Sequence, residues 1–144
     1  MDFTPSVYEH AARLIDRTPW DVSRDADLLF QAHAEAFRRY RHSPIMVGID
    51  IYNVKAESYG STIAKPDGNG IPAISKYACS SLTDILRLRP FNLLRGGRIP
   101  MILDAGKRLA DAFPGADVRI PVSGPFSLAG NLTGVENLLC GIMD

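Results

Sequence analysis

Cysteine is scarce in this chain: Cys79 and Cys140 are the two among 144 residues. They form no C-x-x-C pair and have no histidine at ligand spacing, which excludes a disulfide scaffold and a local zinc knuckle. Both are expected to be buried free thiols. Net charge is also absent, with 16 Lys+Arg balancing 16 Asp+Glu. The basic residues are scattered, so no field attracts a polyanion and nucleic acid is not an expected partner. No apolar run approaches the ~18 residues of a membrane span. "MDFTPSVYEH" has no positive region ahead of an apolar core. The expectation is a cytoplasmic protein with no membrane partner, in which the acceptor sequon Asn131-Leu132-Thr133 is a chance match. No internal repeat and no linker interrupts the sequence, so residues 1–144 are expected to form one unit.

What is present is an ordinary globular composition, 46% hydrophobic, in a chain long enough to bury one real core. Thr4-Pro5 starts a short amphipathic helix carrying Val7, Ala11, Leu14 and Ile15. Thr18-Pro19 repeats that start, and Asp21 three residues on completes a capping-box pattern. A main helix then carries Leu29, His33, Ala36, Phe37 and Tyr40 on one stripe, with Glu35, Arg38, Arg39 and Arg41 mostly opposite. Pro44 is expected to end it.

"IMVGID" follows as an apolar run without alternation, the pattern of a strand covered on both faces in a parallel sheet. The Pro66-Asp67-Gly68-Asn69-Gly70 stretch reads as a turn between two short strands. Ser80 or Ser81 caps "LTDILRL", and Ile99 to Phe113 forms a second long amphipathic helix closed by Pro114-Gly115. A strand is expected from Val118 to Val122, then a Gly/Pro/Ser loop, then a helix from Val135. This order is that of an α/β fold with parallel strands.

Asp50 is the residue with the strongest chemical signal. In parallel α/β folds the carboxyl ends of strands face the ligand. A carboxylate there either caps the following turn through backbone N–H groups or accepts hydrogen bonds from a ligand and stabilises developing positive charge. "YNVKAES" extends the same rim with Tyr52, Asn53 and Glu57, each of which also fits a solvated loop. "SGPFSLAGN" offers Ser123, Ser127 and Asn131 after the second strand, with glycines that let backbone amides approach a ligand; a plain strand-to-helix turn explains it equally. His10, His33 and His42 are too far apart for an i, i+4 metal pair. No metal ligand set can be named, and no nucleophile has a histidine beside it.

"RTPWDVSRDADLLFQAHAEAFRRYRHSPIMVGIDIYNVKAESYG" and "RIPVSGPFSLAGNLTGVENLL" resemble the N-terminal part of the uroporphyrinogen decarboxylase superfamily, which also contains cobamide-dependent methyltransferases. The resemblance implies the N-terminal portion of a TIM (β/α)8 barrel with parallel strands, truncated after about three strands. It places Asp50 as the catalytic aspartate, which in the decarboxylases gathers the pyrrole N–H groups of a tetrapyrrole and stabilises a protonated intermediate. Tyr52, Asn53, Glu57, Ser127 and Asn131 are the implied substrate-binding residues, and Gly124-Pro125-Phe126-Ser127-Leu128 matches the decarboxylases' G-P-W-T-L stretch.

Two departures separate this chain from the decarboxylases. Their R-Q-A-G-R-Y segment, which binds substrate carboxylates, has no counterpart here, and Asn131 stands where they carry a tyrosine. Unpaired desolvated carboxylates are costly, so the resemblance leans to the methyltransferase branch. There a zinc ion held by His-x-Cys and a later Cys activates a thiol, and the complete protein takes zinc and a corrinoid as cofactors, with no ligand in this chain. A full barrel needs ~250 residues. An open half-barrel exposes strand edges, so the implied partners are the remainder of the barrel, from the same polypeptide, a second subunit or self-association, and a tetrapyrrole or methyl-corrinoid ligand. The complete protein would be a methyltransferase or a carboxy-lyase, and the fragment alone inactive; the alternative is a non-catalytic half-barrel or assembly subunit.

Overall fold

The computed structural model describes residues 5–143. In chain order its elements are α1 (Tyr8–Arg13), α2 (Pro19–Val22), α3 (Ala26–Tyr40), β1 (Ile45–Met46), α4 (Val54–Ser58), β2 (Thr62–Ala64), β3 (Ala73–Lys76), α5 (Leu82–Ile85), α6 (Ile99–Ala112), β4 (Val118–Arg119), α7 (Pro125–Thr133) and α8 (Val135–Met143). Among the described residues no helix is long and apolar enough to cross a membrane. The chain divides into two compact units, each drawn from three stretches of sequence. The first comprises Met1–Asp50, Pro66–Ile71 and Met101–Pro121; the second comprises Ile51–Lys65, Pro72–Pro100 and Val122–Asp144.

In the first unit the local signals act as read. The Thr18 hydroxyl accepts the Asp21 amide at 3.2 Å and donates to the Asp21 carboxylate at 2.7 Å, so the cap and its acid close the first turn of α2. Thr4, the expected cap of α1, lies outside the described residues. The cap of α3 is Asp25, whose carboxylate accepts the Leu28 amide at 2.9 Å. Arg41 ends α3 in a left-handed conformation, three residues before the expected stop at Pro44. Leu29, Ala32, His33 and Ala36 are buried. The rings of Phe37 on α3 and Phe113 after α6 lie 4.8 Å apart.

β1 pairs with β4 in parallel, Ile45 opposite Val118 and Met46 opposite Arg119. The Ile45 amide donates to the Asp117 carbonyl and the Val47 amide to the Arg119 carbonyl. Ile45, Val47 and Ile49 are all buried, which is why this run does not alternate. The second strand is shorter than the sequence pattern: pairing stops at Arg119, since Pro121 has no N–H to donate. Val122 is 70% exposed.

The second unit holds the antiparallel pair β2–β3 and the helices α4, α5, α7 and α8. Its buried centre is Ala56, Cys79 and Leu132, covered by Tyr59, Ile74, Ile85, Leu88 and Leu128. The Ser81 cap of α5 is reciprocal, since the Asp84 carboxylate accepts the Ser81 amide at 3.0 Å. Gly134 ends α7 at φ +88, and a Cβ there would meet the Tyr77 ring at 3.2 Å, so both backbone and packing require glycine. Two expectations are corrected here. "SGPFSLAG" is the start of a helix, not a loop, because Pro125 pre-sets the first helical φ and Gly124 serves as cap. Cys140 is exposed, not buried, since it lies on the outer side of α8; Cys79 is buried as expected.

Candidate functional site

Asp50 sits five residues after the start of β1 and is 2% exposed. Its φ of +55 is left-handed, a conformation that aspartate tolerates better than most side chains because its short polar side chain bonds locally. The segment leading to it is held from α3. The Gly48 amide donates to Nε2 of His33 at 3.0 Å, across buried surroundings. The accepting Nε2 leaves the proton of a neutral ring on Nδ1, which is buried without a hydrogen-bond partner. Burial, and secondarily the nearby His42, lower the His33 pKa to about 4, against the opposing Gly48 contact. His42 is also shifted down by burial. Both rings are neutral at pH 7, so this scaffold beneath Asp50 brings no charge of its own.

The other expected site residues belong to the second unit. Tyr52 is 60% exposed, and its carbonyl accepts the side-chain amide of Asn131 at 2.8 Å. Asn131 is anchored a second time, its own carbonyl accepting from the Ser61 hydroxyl at 3.3 Å. These contacts tie the segment after β1 to α7 and pair two of the expected substrate-binding residues. Asn53 is buried and donates to the Pro72 carbonyl at 2.9 Å. Glu57 accepts from Nε of Arg98 in a mostly buried ion pair. Ser127 is exposed in the first turn of α7. Tyr52 and Asn53 lead into α4 and Glu57 lies on it, whereas the sequence read the stretch as rim.

Three contributors escaped the sequence reading. His33 was placed on the apolar stripe without its contact to Gly48. Arg98 was not singled out, although its buried guanidinium is held by Glu57. Lys55, one turn before Ser58 on α4, extends its ammonium to the Ser123 carbonyl at 2.7 Å. A lysine three residues past the tyrosine of "YNVK" is the only sequence signal for that contact, and nothing in the pattern names its acceptor.

The described residues do not fit a bound metal. No three His, Cys, Asp or Glu side chains among them lie together in a ligating group. His10 instead bonds the Tyr40 hydroxyl at 2.8 Å, and burial together with Asp84 raises the Cys79 thiol pKa.

Three comparisons bear on this geometry. A family model described as uroporphyrinogen decarboxylase (URO-D) matches residues 3–141. A solved methyltransferase from Methanosarcina mazei superposes with a TM-score of 0.77 at 20% sequence identity, over 96% of this chain and 41% of that one. The chain therefore spans about 41% of the length of the solved protein it matches. No curated protein matches.

Proposed function

Because the chain belongs to the uroporphyrinogen decarboxylase family, we propose that it forms the N-terminal part of a TIM-barrel enzyme that works on or with a tetrapyrrole, in a methyl transfer from a corrinoid to a thiol. The observation that carries this reading is the buried carboxylate of Asp50 at the exit of the first parallel strand. The carboxyl ends of barrel strands are where such enzymes keep their reacting groups. A carboxylate withdrawn from water there binds N–H groups or a developing cation far more strongly than an exposed one would. The absence of the decarboxylases' arginine-rich segment and the structural likeness to a methyltransferase both favour methyl transfer over loss of carbon dioxide.

In this reading the remaining strands and helices come from further along the same polypeptide, from a second subunit or from another copy. Val135, Leu139, Ile142 and Met143, spaced along one side of α8, are all at least 48% exposed, an apolar stripe of the kind that packs against further structure. Zinc and a corrinoid would be held by that remainder, since the described residues supply no ligand set. Tyr52, Asn53, Glu57, Ser127 and Asn131 would line or brace the substrate side.

The test is an assay of this chain together with the segment or subunit that completes it. Methylcobalamin and a thiol should yield the methyl thioether, and Asp50→Ala should lower that rate by at least about a hundredfold. Conversion of uroporphyrinogen to coproporphyrinogen by the same assembly would instead assign it to the decarboxylases. An Asp50→Ala assembly with full activity in both assays would leave the chain a non-catalytic barrel part.

A further inference from the structure

The start of α7 concentrates positive character without a counter-charge. Gly124 caps the helix with no side-chain acceptor, Pro125 has no N–H, and the first turn contains no acidic residue. The first amide with a helical acceptor is Leu128, which bonds the Gly124 carbonyl at 2.9 Å. The amides of Phe126 and Ser127 thus precede it at the positive end of the helix. The Lys55 ammonium is held 2.7 Å from the Ser123 carbonyl, one residue before the cap. Among the described residues it forms no ion pair with a carboxylate. A cation beside the positive end of a helix is repelled, and an anion would relieve that repulsion.

One further observation at the same residues points to a ligand. The Ser123 hydroxyl is withdrawn from solvent, in a residue 7% exposed, and has no hydrogen-bond partner. Buried hydroxyls are nearly always bonded. Gly124 is exposed and an added Cβ there would meet nothing within 4 Å, so the helix start is open to an ion from solvent.

We infer that Lys55, the Phe126 and Ser127 amides and the Ser123 hydroxyl form a subsite for an oxyanion, a carboxylate or phosphate-type group of a substrate. The ammonium supplies charge, and the two amides and the hydroxyl are donors that lie within five consecutive residues at the start of one helix. The inference deepens the proposed function by giving the substrate an anionic group, but it is read by binding and not by turnover. Failure of methyl transfer would leave the anion affinity in place.

The experiment titrates the 144-residue chain with phosphate, and separately with acetate, at constant ionic strength, following the backbone amide resonances of Phe126 and Ser127. At least one of the two anions should move both amides saturably, and which one does so identifies the tetrahedral or the planar group. Lys55→Met should weaken that binding by about tenfold or more, and Lys55→Arg should retain most of it. Gly124→Asp places a carboxylate in the open space at a backbone conformation any residue adopts (φ −70, ψ 170). It should abolish anion binding while raising Tm, because the acid becomes an N-cap. Amides that fail to saturate with either anion, an affinity unchanged in Lys55→Met, or undiminished binding in Gly124→Asp would each overturn the subsite.

Discussion

The backbone amide of Gly48 donates to the imidazole of His33 at 3.0 Å, joining residues 15 apart in sequence two positions before Asp50. That contact exists only while Nε2 is unprotonated, so it links the strand exit to pH.

The folded pKa of His33 is lowered to about 4 from 6.5, chiefly by burial. Below pH 6.5 the unfolded chain therefore binds a proton that the folded chain refuses. Stability should be flat with respect to this group above 6.5, fall as the pH drops from 6.5 to about 4, and level off below. The full loss is about 3 kcal/mol. His42 titrates in the same direction. His33→Gln keeps an acceptor near Gly48 but cannot titrate, and urea unfolding at pH 7 and pH 5 should show a smaller difference between the two pH values than in the parent chain.

Asn131 is expected to matter for stability as well as for any substrate. Replacing it by Ala removes the donor to the Tyr52 carbonyl and should cost about 1 kcal/mol. Asn131→Asp sets a carboxylate against a carbonyl and should cost more. Chemical denaturation of the two variants checks the order.

Glu57 and Arg98 form an ion pair whose side chains are 18% and 7% exposed. Arg98→Met removes the cation bonded to a largely buried carboxylate and should destabilise by about 3 kcal/mol. The double variant Arg98→Met/Glu57→Gln should recover part of that loss. A double-mutant cycle by thermal unfolding measures the coupling; single-variant losses that simply add would show the pair to be uncoupled.

The two thiols should react at very different rates. Cys140 is exposed, while Cys79 is 4% exposed and has its pKa raised by burial and by Asp84. An aromatic disulfide reagent at pH 8 should titrate one thiol rapidly in the native chain and two after denaturation. Cys140→Ser should abolish the fast phase.

Much of this molecule was decided by short-range chemistry that can be read along the chain. The Thr18–Asp21 cap, the stripe of α3, the unalternating run at Ile45 and the stop after α6 depend on residues within a few positions of one another, and periodicity or capping suffices to find them. Asp50 stood out for the same reason: a carboxylate closing the apolar run "IMVGID" is a local anomaly. Only the tertiary structure decided that His33 faces Gly48, that Asn131 reaches Tyr52 and that Lys55 reaches Ser123, pairs separated by 15, 79 and 68 residues. It also decided which thiol is open and that "SGPFS" begins a helix. Partners that far apart are chosen by packing, because a hydrogen bond gains its value only after burial has removed water as the competitor.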